Sequence, residues 1–158
     1  MKKYLVIGNP IEHSLSPKLH NYWFEKNNID ANYDRKKIDK SEIQKIISEI
    51  REDKLDGINV TVPFKSDVIP FLDTLSKESQ ITRSVNTIYK QDKKLIGHNT
   101  DIKGFELSLK ETQFNLENKT IFILGAGGVV PSIIYALKKL GTSKIIVSNR
   151  TKQKTENL

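Results

Sequence analysis

The chain contains no cysteine, which excludes disulfide bridges and thiolate chemistry and fits a cytoplasmic protein. No apolar run approaches the ~18 residues of a membrane-spanning helix, so no membrane segment is expected. The N-terminal MKKYLVIGNP opens on lysines and a short apolar run. Gly8, Asn9 and Pro10 end that run directly after Ile7, and a targeting peptide is not expected. Internal repeats and low-complexity segments are missing too. The net charge of +7 raises the question of nucleic acid, but the lysines are scattered and no basic cluster joins a set of aromatics. No nucleic-acid partner is expected, and the charge fits attraction of an anionic small molecule. No metal is expected either.

What is present is a globular composition, 37% hydrophobic and 28% charged, in 158 residues, enough for one ordinary domain or two small ones. Apolar runs alternate with helical patterns. Strands are expected over 3–8, 32–38, 57–62, 119–124 and 144–148, with a hairpin of 85–89 and 94–97 around QDKK. Ser16-Pro17 reads as an N-cap and first helical residue of a helix running to about Asn27. Ile43, Ile46, Ile47 and Ile50 recur at helical spacing. Further helices are expected over 65–75, interrupted by Pro70, and over 78–82, 101–112 and 129–140. This alternation predicts α/β layers with largely parallel sheets. The last strand-helix-strand has too little chain after it to complete a doubly wound domain, and the sequence is expected to be part of a longer protein.

The segment INVTVPFK alternates apolar and polar residues, stops at Pro63 and delivers Lys65. The ends of the expected elements carry Ser14, Ser16, Thr61, Lys65, Asn86, Asn99 and Asp101. In a parallel α/β sheet, ligands sit at the carboxyl ends of the strands. A lysine and an aspartate in such a rim can pair and move a proton, whereas either alone reads as a solvated charge. Ser14 and Ser16 can hold a carboxylate, although Ser16 also reads as a helix cap. Asp101 can likewise simply cap the following helix. The strand 119–124 runs into Gly125, Ala126, Gly127, Gly128 and Val129 and then a helix, the order in which glycine N–H groups approach a pyrophosphate at a helix N-terminus. Val130 stands where the usual fingerprint has Gly or Ala. About 20 residues on, where an acidic residue would bind the ribose 2′-hydroxyl of NAD, stand Asn149, Arg150 and Thr151; the arginine suits a 2′-phosphate and so NADP, although alone it reads as a solvated charge.

The ordered motifs GNPIEHSLSP, NVTVPFK, SVNTI, GHNTDIKGF, GAGG and SNRT resemble those of shikimate dehydrogenases, across the whole length. The resemblance implies an α/β substrate-binding domain over 1–100, a connecting helix over 101–115, and the first βαβ of a Rossmann NADP-binding domain, cut short, over 116–158. It implies reversible NADPH-dependent reduction of 3-dehydroshikimate to shikimate. Lys65 and Asp101 would be the catalytic pair. Ser14 and Ser16 would bind the substrate carboxylate, and Thr61, Lys65, Asn86 and Asp101 would surround the ring hydroxyls. Gly125, Ala126, Gly127, Gly128 and Val129 would face the NADP pyrophosphate, with Asn149, Arg150 and Thr151 at its 2′-phosphate. The family's remaining Rossmann strands, nicotinamide pocket and a glutamine that closes on the substrate lie beyond these motifs, so efficient turnover by the chain alone is not expected. A quinate/shikimate dehydrogenase and a non-catalytic shikimate-binding module remain alternatives, in a monomer or a homodimer.

Overall fold

The computed structural model describes residues 1–156; the last two residues of the expected 116–158 unit lie outside them. Chain order is β1 (Lys2–Gly8), α1 (Ser16–Lys26), β2 (Ala31–Lys37), α2 (Ile43–Arg51) after a 3₁₀ turn, β3 (Gly57–Val60), β4 (Thr74–Leu75), α3 (Lys77–Thr82), β5 (Thr87–Gln91), β6 (Lys94–His98), α4 (Asp101–Glu111), β7 (Thr120–Leu124), α5 (Val130–Lys139), β8 (Lys144–Ser148) and α6 (Lys152–Glu156). Among the described residues the strands form two sheets, ordered β2-β1-β3-β5-β6-β4 and β7-β8. The first sheet is mixed rather than largely parallel. β2, β1 and β3 run parallel, and the hairpin β5–β6 enters antiparallel to β3. This brings the ends of β1, β3 and β6 and the start of β5 to one edge. The second sheet is a parallel pair bridged by α5, the expected strand-helix-strand.

Alternation along β1 divides the apolar side chains between the two faces of the sheet. Ile7 joins the main core with α2, whose Ile43, Ile46, Ile47 and Ile50 are all buried. Burying side chains of this kind contributes about 1.5–3 kcal/mol each, so α2 is held by tertiary packing rather than by its short length. Val6 faces the other way into a smaller cluster with Ile11 and Tyr33, flanked by Tyr4 and Phe24. α1 covers that side without a single buried residue of its own. The sheet is therefore filled on one face and underfilled on the other, and the candidate site occupies the underfilled side.

The segment 65–75 is not a helix. It forms turns, a 3₁₀ turn at Ile69–Phe71 and the short strand β4. Pro70 lacks the N–H that a helix would use and restrains the residue before it. Asp73 then pins the chain to the sheet, accepting two hydrogen bonds from the Arg51 guanidinium and one from the Leu95 N–H. The Arg51 contact, followed by that backbone N–H, holds the Asp73 carboxyl below its ordinary value.

Candidate active site

Gly8 lets the loops after β1 and β3 meet. A Cβ there would lie 2.6 Å from Thr61 Cγ2 and 3.0 Å from the Val62 carbonyl. With no side chain in the way, Thr61 N–H bonds the Ile7 carbonyl at 2.9 Å and Asn9 N–H bonds Val62 at 3.0 Å. The chain then turns through Pro63, and the Lys65 carbonyl is held by Val85 N–H at 2.8 Å. These backbone contacts place Lys65 at the edge of the sheet.

There Lys65 Nζ meets Asp101 Oδ2 at 2.6 Å, although 36 residues separate them in sequence. Both side chains are mostly buried, 13% and 22% exposed, so solvent screens this pair far less than a surface one. The other Asp101 oxygen accepts from Asn86 Nδ2 at 2.8 Å. Asn86 in turn takes Thr87 Oγ1–H on its Oδ1 at 3.0 Å, Asn59 Nδ2 donates to Thr87 Oγ1 at 3.1 Å, and Tyr33 OH donates to Asn59 Oδ1 at 2.7 Å. A continuous polar chain thus runs from Tyr33 to Lys65. Burial pushes the Tyr33 phenol above its ordinary value, with the Ser16 hydroxyl acting weakly the other way.

A hollow of about 590 Å³ opens over this chain, with Ser16, Thr61, Lys65, Asn86 and Asp101 all in its wall. Five of the residues read from the sequence therefore meet in one place. Ser14 does not reach it and lines an adjoining hollow of about 270 Å³ that shares Ser16 and Thr61. Ser16 is not the helix cap. Leu15 holds the N-cap position, and no side chain caps the helix. Ser14 Oγ instead accepts Ser16 N–H at 3.3 Å, so the helix begins one residue early and the Ser16 hydroxyl is left for the hollow. Asp101 is the first residue of α4, not its cap; its N–H is taken by Asn99 Oδ1 at 3.0 Å.

Sequence reasoning missed His20, Tyr33, Asn59, Thr87 and Thr100, which share the main hollow. Asn59 was readable, because period-two alternation puts it on the same face as Thr61. Tyr33 and His20 gave no local signal. They stack at 4.2 Å between ring centroids, across α1 and β2, and burial lowers the His20 pKa below its ordinary 6.5.

The turn Gly125, Ala126, Gly127, Gly128, Val129 joins β7 to α5. Gly125 sits at φ 111, a conformation that favours glycine. A Cβ added at Gly125, Gly127 or Gly128 would meet nothing within 4 Å, so open space lies over the turn. Among the described residues, the N–H groups of Ala126, Gly127, Gly128 and Val129 find no backbone acceptor. Free N–H groups facing open space at a helix N-terminus fit a dinucleotide pyrophosphate. Val130 is buried, so the position usually held by a small residue is packed here by a larger one. Asn149, Arg150 and Thr151 follow β8, with Asn149 Nδ2 closing a local turn onto the Thr151 carbonyl at 2.9 Å. Arg150 makes no ion pair among the described residues, which leaves its guanidinium available for a phosphate.

Residues 6–88 match the family described as the shikimate dehydrogenase substrate binding domain, and residues 106–158 match shikimate / quinate 5-dehydrogenase. The chain belongs to the shikimate dehydrogenase family. It is 60% identical over 157 residues to the shikimate dehydrogenase (NADP(+)) of Pelagibacter ubique, covering 99% of this chain and 59% of that one. The crystal structure of shikimate dehydrogenase from Aquifex aeolicus superposes with a TM-score of 0.93 at 39% identity, over 99% of this chain and 59% of that one. The Thermus thermophilus shikimate 5-dehydrogenase, solved in complex with NADP(H) and shikimate, gives a TM-score of 0.89 at 32% identity, with 99% and 59% covered. The chain thus spans 59% of the length of these relatives. No helix among the described residues is long and apolar enough to cross a membrane.

Proposed function

We propose that this chain carries the substrate-binding and proton-transfer half of an NADP-dependent shikimate dehydrogenase, with residues 1–100 as the substrate unit, 101–115 as connector and 116–158 as the start of the nucleotide unit. The observation that carries the reading is the position of Lys65. It lines the 590 Å³ hollow and also a third hollow, distinct from the one at Ser14 and likewise of about 270 Å³, against Gly128 of the glycine turn. A proton donor for a carbonyl reduced by a dinucleotide has to stand between the two ligands. The relatives' names, and the Thermus complex with NADP(H) and shikimate, support the choice of ligands.

In this reading Ser16, with Ser14 beside it, donates its hydroxyl to the substrate carboxylate, and Thr61, Asn86 and Asp101 hold the ring hydroxyls. A bound reduced nicotinamide supplies the hydride. Lys65 gives a proton from its ammonium to the carbonyl oxygen of 3-dehydroshikimate as that carbon is reduced, producing the hydroxyl of shikimate and a neutral amine that solvent reprotonates. Asp101, fixed by Asn86, holds the Lys65 ammonium aimed before transfer. Arg150 meets the 2′-phosphate, with Asn149 and Thr151 shaping its turn. Calorimetric titration with shikimate, and with quinate for comparison, tests the substrate half. Saturable shikimate binding that is tighter than quinate binding, and that weakens in Ser16→Ala, is expected. Equal or tighter quinate binding would favour the quinate/shikimate reading instead. Binding of neither acid would remove the assignment of the hollow.

A further inference from the structure

The hollow between Lys65 and the glycine turn contains a second cation. Its wall includes Arg83, Ser84, Gly128 and Pro131, and no carboxylate lines it. Arg83 ends α3 in the left-handed conformation, φ 49 and ψ 36, where a glycine would sit without steric strain. The turn it makes carries the chain directly to Ser84, whose Oγ donates to the Gly128 carbonyl at 3.4 Å, and to Val85, which bonds the Lys65 carbonyl. The two residues that follow Arg83 therefore anchor it against the two halves of the cleft. Among the described residues its guanidinium has no ion-pair partner, whereas Lys65 is engaged by Asp101. A guanidinium without a counter-charge, in the wall of the same hollow as Gly128, whose N–H has no backbone acceptor, makes an anion site with contributions from both units.

We propose that Arg83 binds the diphosphate of the dinucleotide from the substrate side of the cleft, so that the ligand is gripped by α5's glycine turn and by the first unit together. This rests on the reading of the glycine turn as a dinucleotide site. The test is a titration of the ¹⁵N-labelled chain with NADP, followed by NMR at the glycine-turn amides and the arginine Nε–H groups. Arg83→Gly, Arg83→Lys and Lys93→Gly are compared. Lys93 is a matched control: it is an exposed lysine, also at positive φ (63), in the β5–β6 turn away from the cleft. Both glycine variants relieve a left-handed residue and remove one charge, so both should melt higher. Only Arg83→Gly should weaken NADP, by about tenfold, the loss of one charge-assisted contact, and Arg83→Lys should restore most of it. Equal affinities in Arg83→Gly and Lys93→Gly would overturn the role of Arg83 while leaving the dinucleotide site standing. Absence of any NADP-induced shift at Gly125 to Val129 in the unmodified chain would overturn both.

Discussion

The side-chain amide of Asn99 donates to Ser132 Oγ at 2.8 Å, and so ties the first unit to the helix that follows the glycine turn. The same amide reaches Thr82 Oγ1 and the Ser84 carbonyl, each at 3.1 Å, while Asn99 Oδ1 receives Asp101 N–H. Asn99 is 2% exposed, so these contacts have no water to replace them. One buried residue therefore holds Asp101 on one side and α5 on the other. Glu106 and Lys139 form a second link between α4 and α5 at 2.6 Å.

Asn99→Ala should lower both stability, by about 1–3 kcal/mol for stranded buried groups, and shikimate affinity, because Asp101 loses its backbone anchor. Ser132→Ala should lower stability by about 0.5–1.5 kcal/mol and leave shikimate affinity unchanged. Urea unfolding and calorimetry on the two variants separate the effects. Unchanged shikimate binding in Asn99→Ala would detach Asn99 from the site.

Lys65→Ala, in a chain extended to the length of the relatives, should reduce kcat by about 10²–10⁴-fold, the range of a lost general acid–base group, while KM for shikimate changes far less. A pure binding module would have no rate to lose. Steady-state kinetics in the oxidation direction read the split directly.

Gly8→Ala should damage the site from a distance. The new methyl would press on Thr61 Cγ2 and the Val62 carbonyl, and pushing those loops apart should cost about 1–3 kcal/mol. Shikimate binding should weaken with it, since Thr61 and Lys65 both follow from that contact. Thermal unfolding and the shikimate titration check the two halves of this expectation.

His20 should make stability depend on pH. Burial depresses its pKa in the folded state below the ordinary 6.5, so the unfolded chain binds the proton more readily. This contribution is fully present above pH 6.5, is lost as pH falls from there through the folded value, and levels off below it. His20→Gln should flatten that step in urea midpoints measured from pH 7.5 downward, and an unchanged step would assign it elsewhere.

The legible part of the sequence was the part written in local patterns. The isoleucines of α2 repeat at helical spacing because they share one buried face, and β7, the glycine turn and α5 follow each other without interruption. The pairing of Lys65 with Asp101 was suggested by motif resemblance; spacing alone left both as ordinary charges. It exists because the sheet order β3-β5-β6 folds distant segments onto one edge. Ser16 looked like a cap because local rules cannot see that Ser14 takes its N–H first. The segment 65–75 has helical composition, but Pro70 and the pull of Arg51 on Asp73 decide otherwise. Asn99 was noted as a rim residue, yet it points inward, a distinction fixed only by its partners Thr82, Ser84 and Ser132. Tyr33 and His20 became visible as site residues only when α1 was laid across β2.

In the proposed function, shikimate occupies the hollow with its reacting hydroxyl at Lys65. A crystal structure of the chain grown with shikimate tests it most directly. Ligand density is expected in the hollow, with the carboxylate toward Ser16 and a ring hydroxyl within about 3 Å of both Lys65 Nζ and Asp101. Density bound elsewhere, or in the hollow with no oxygen within hydrogen-bond reach of Lys65, would contradict it.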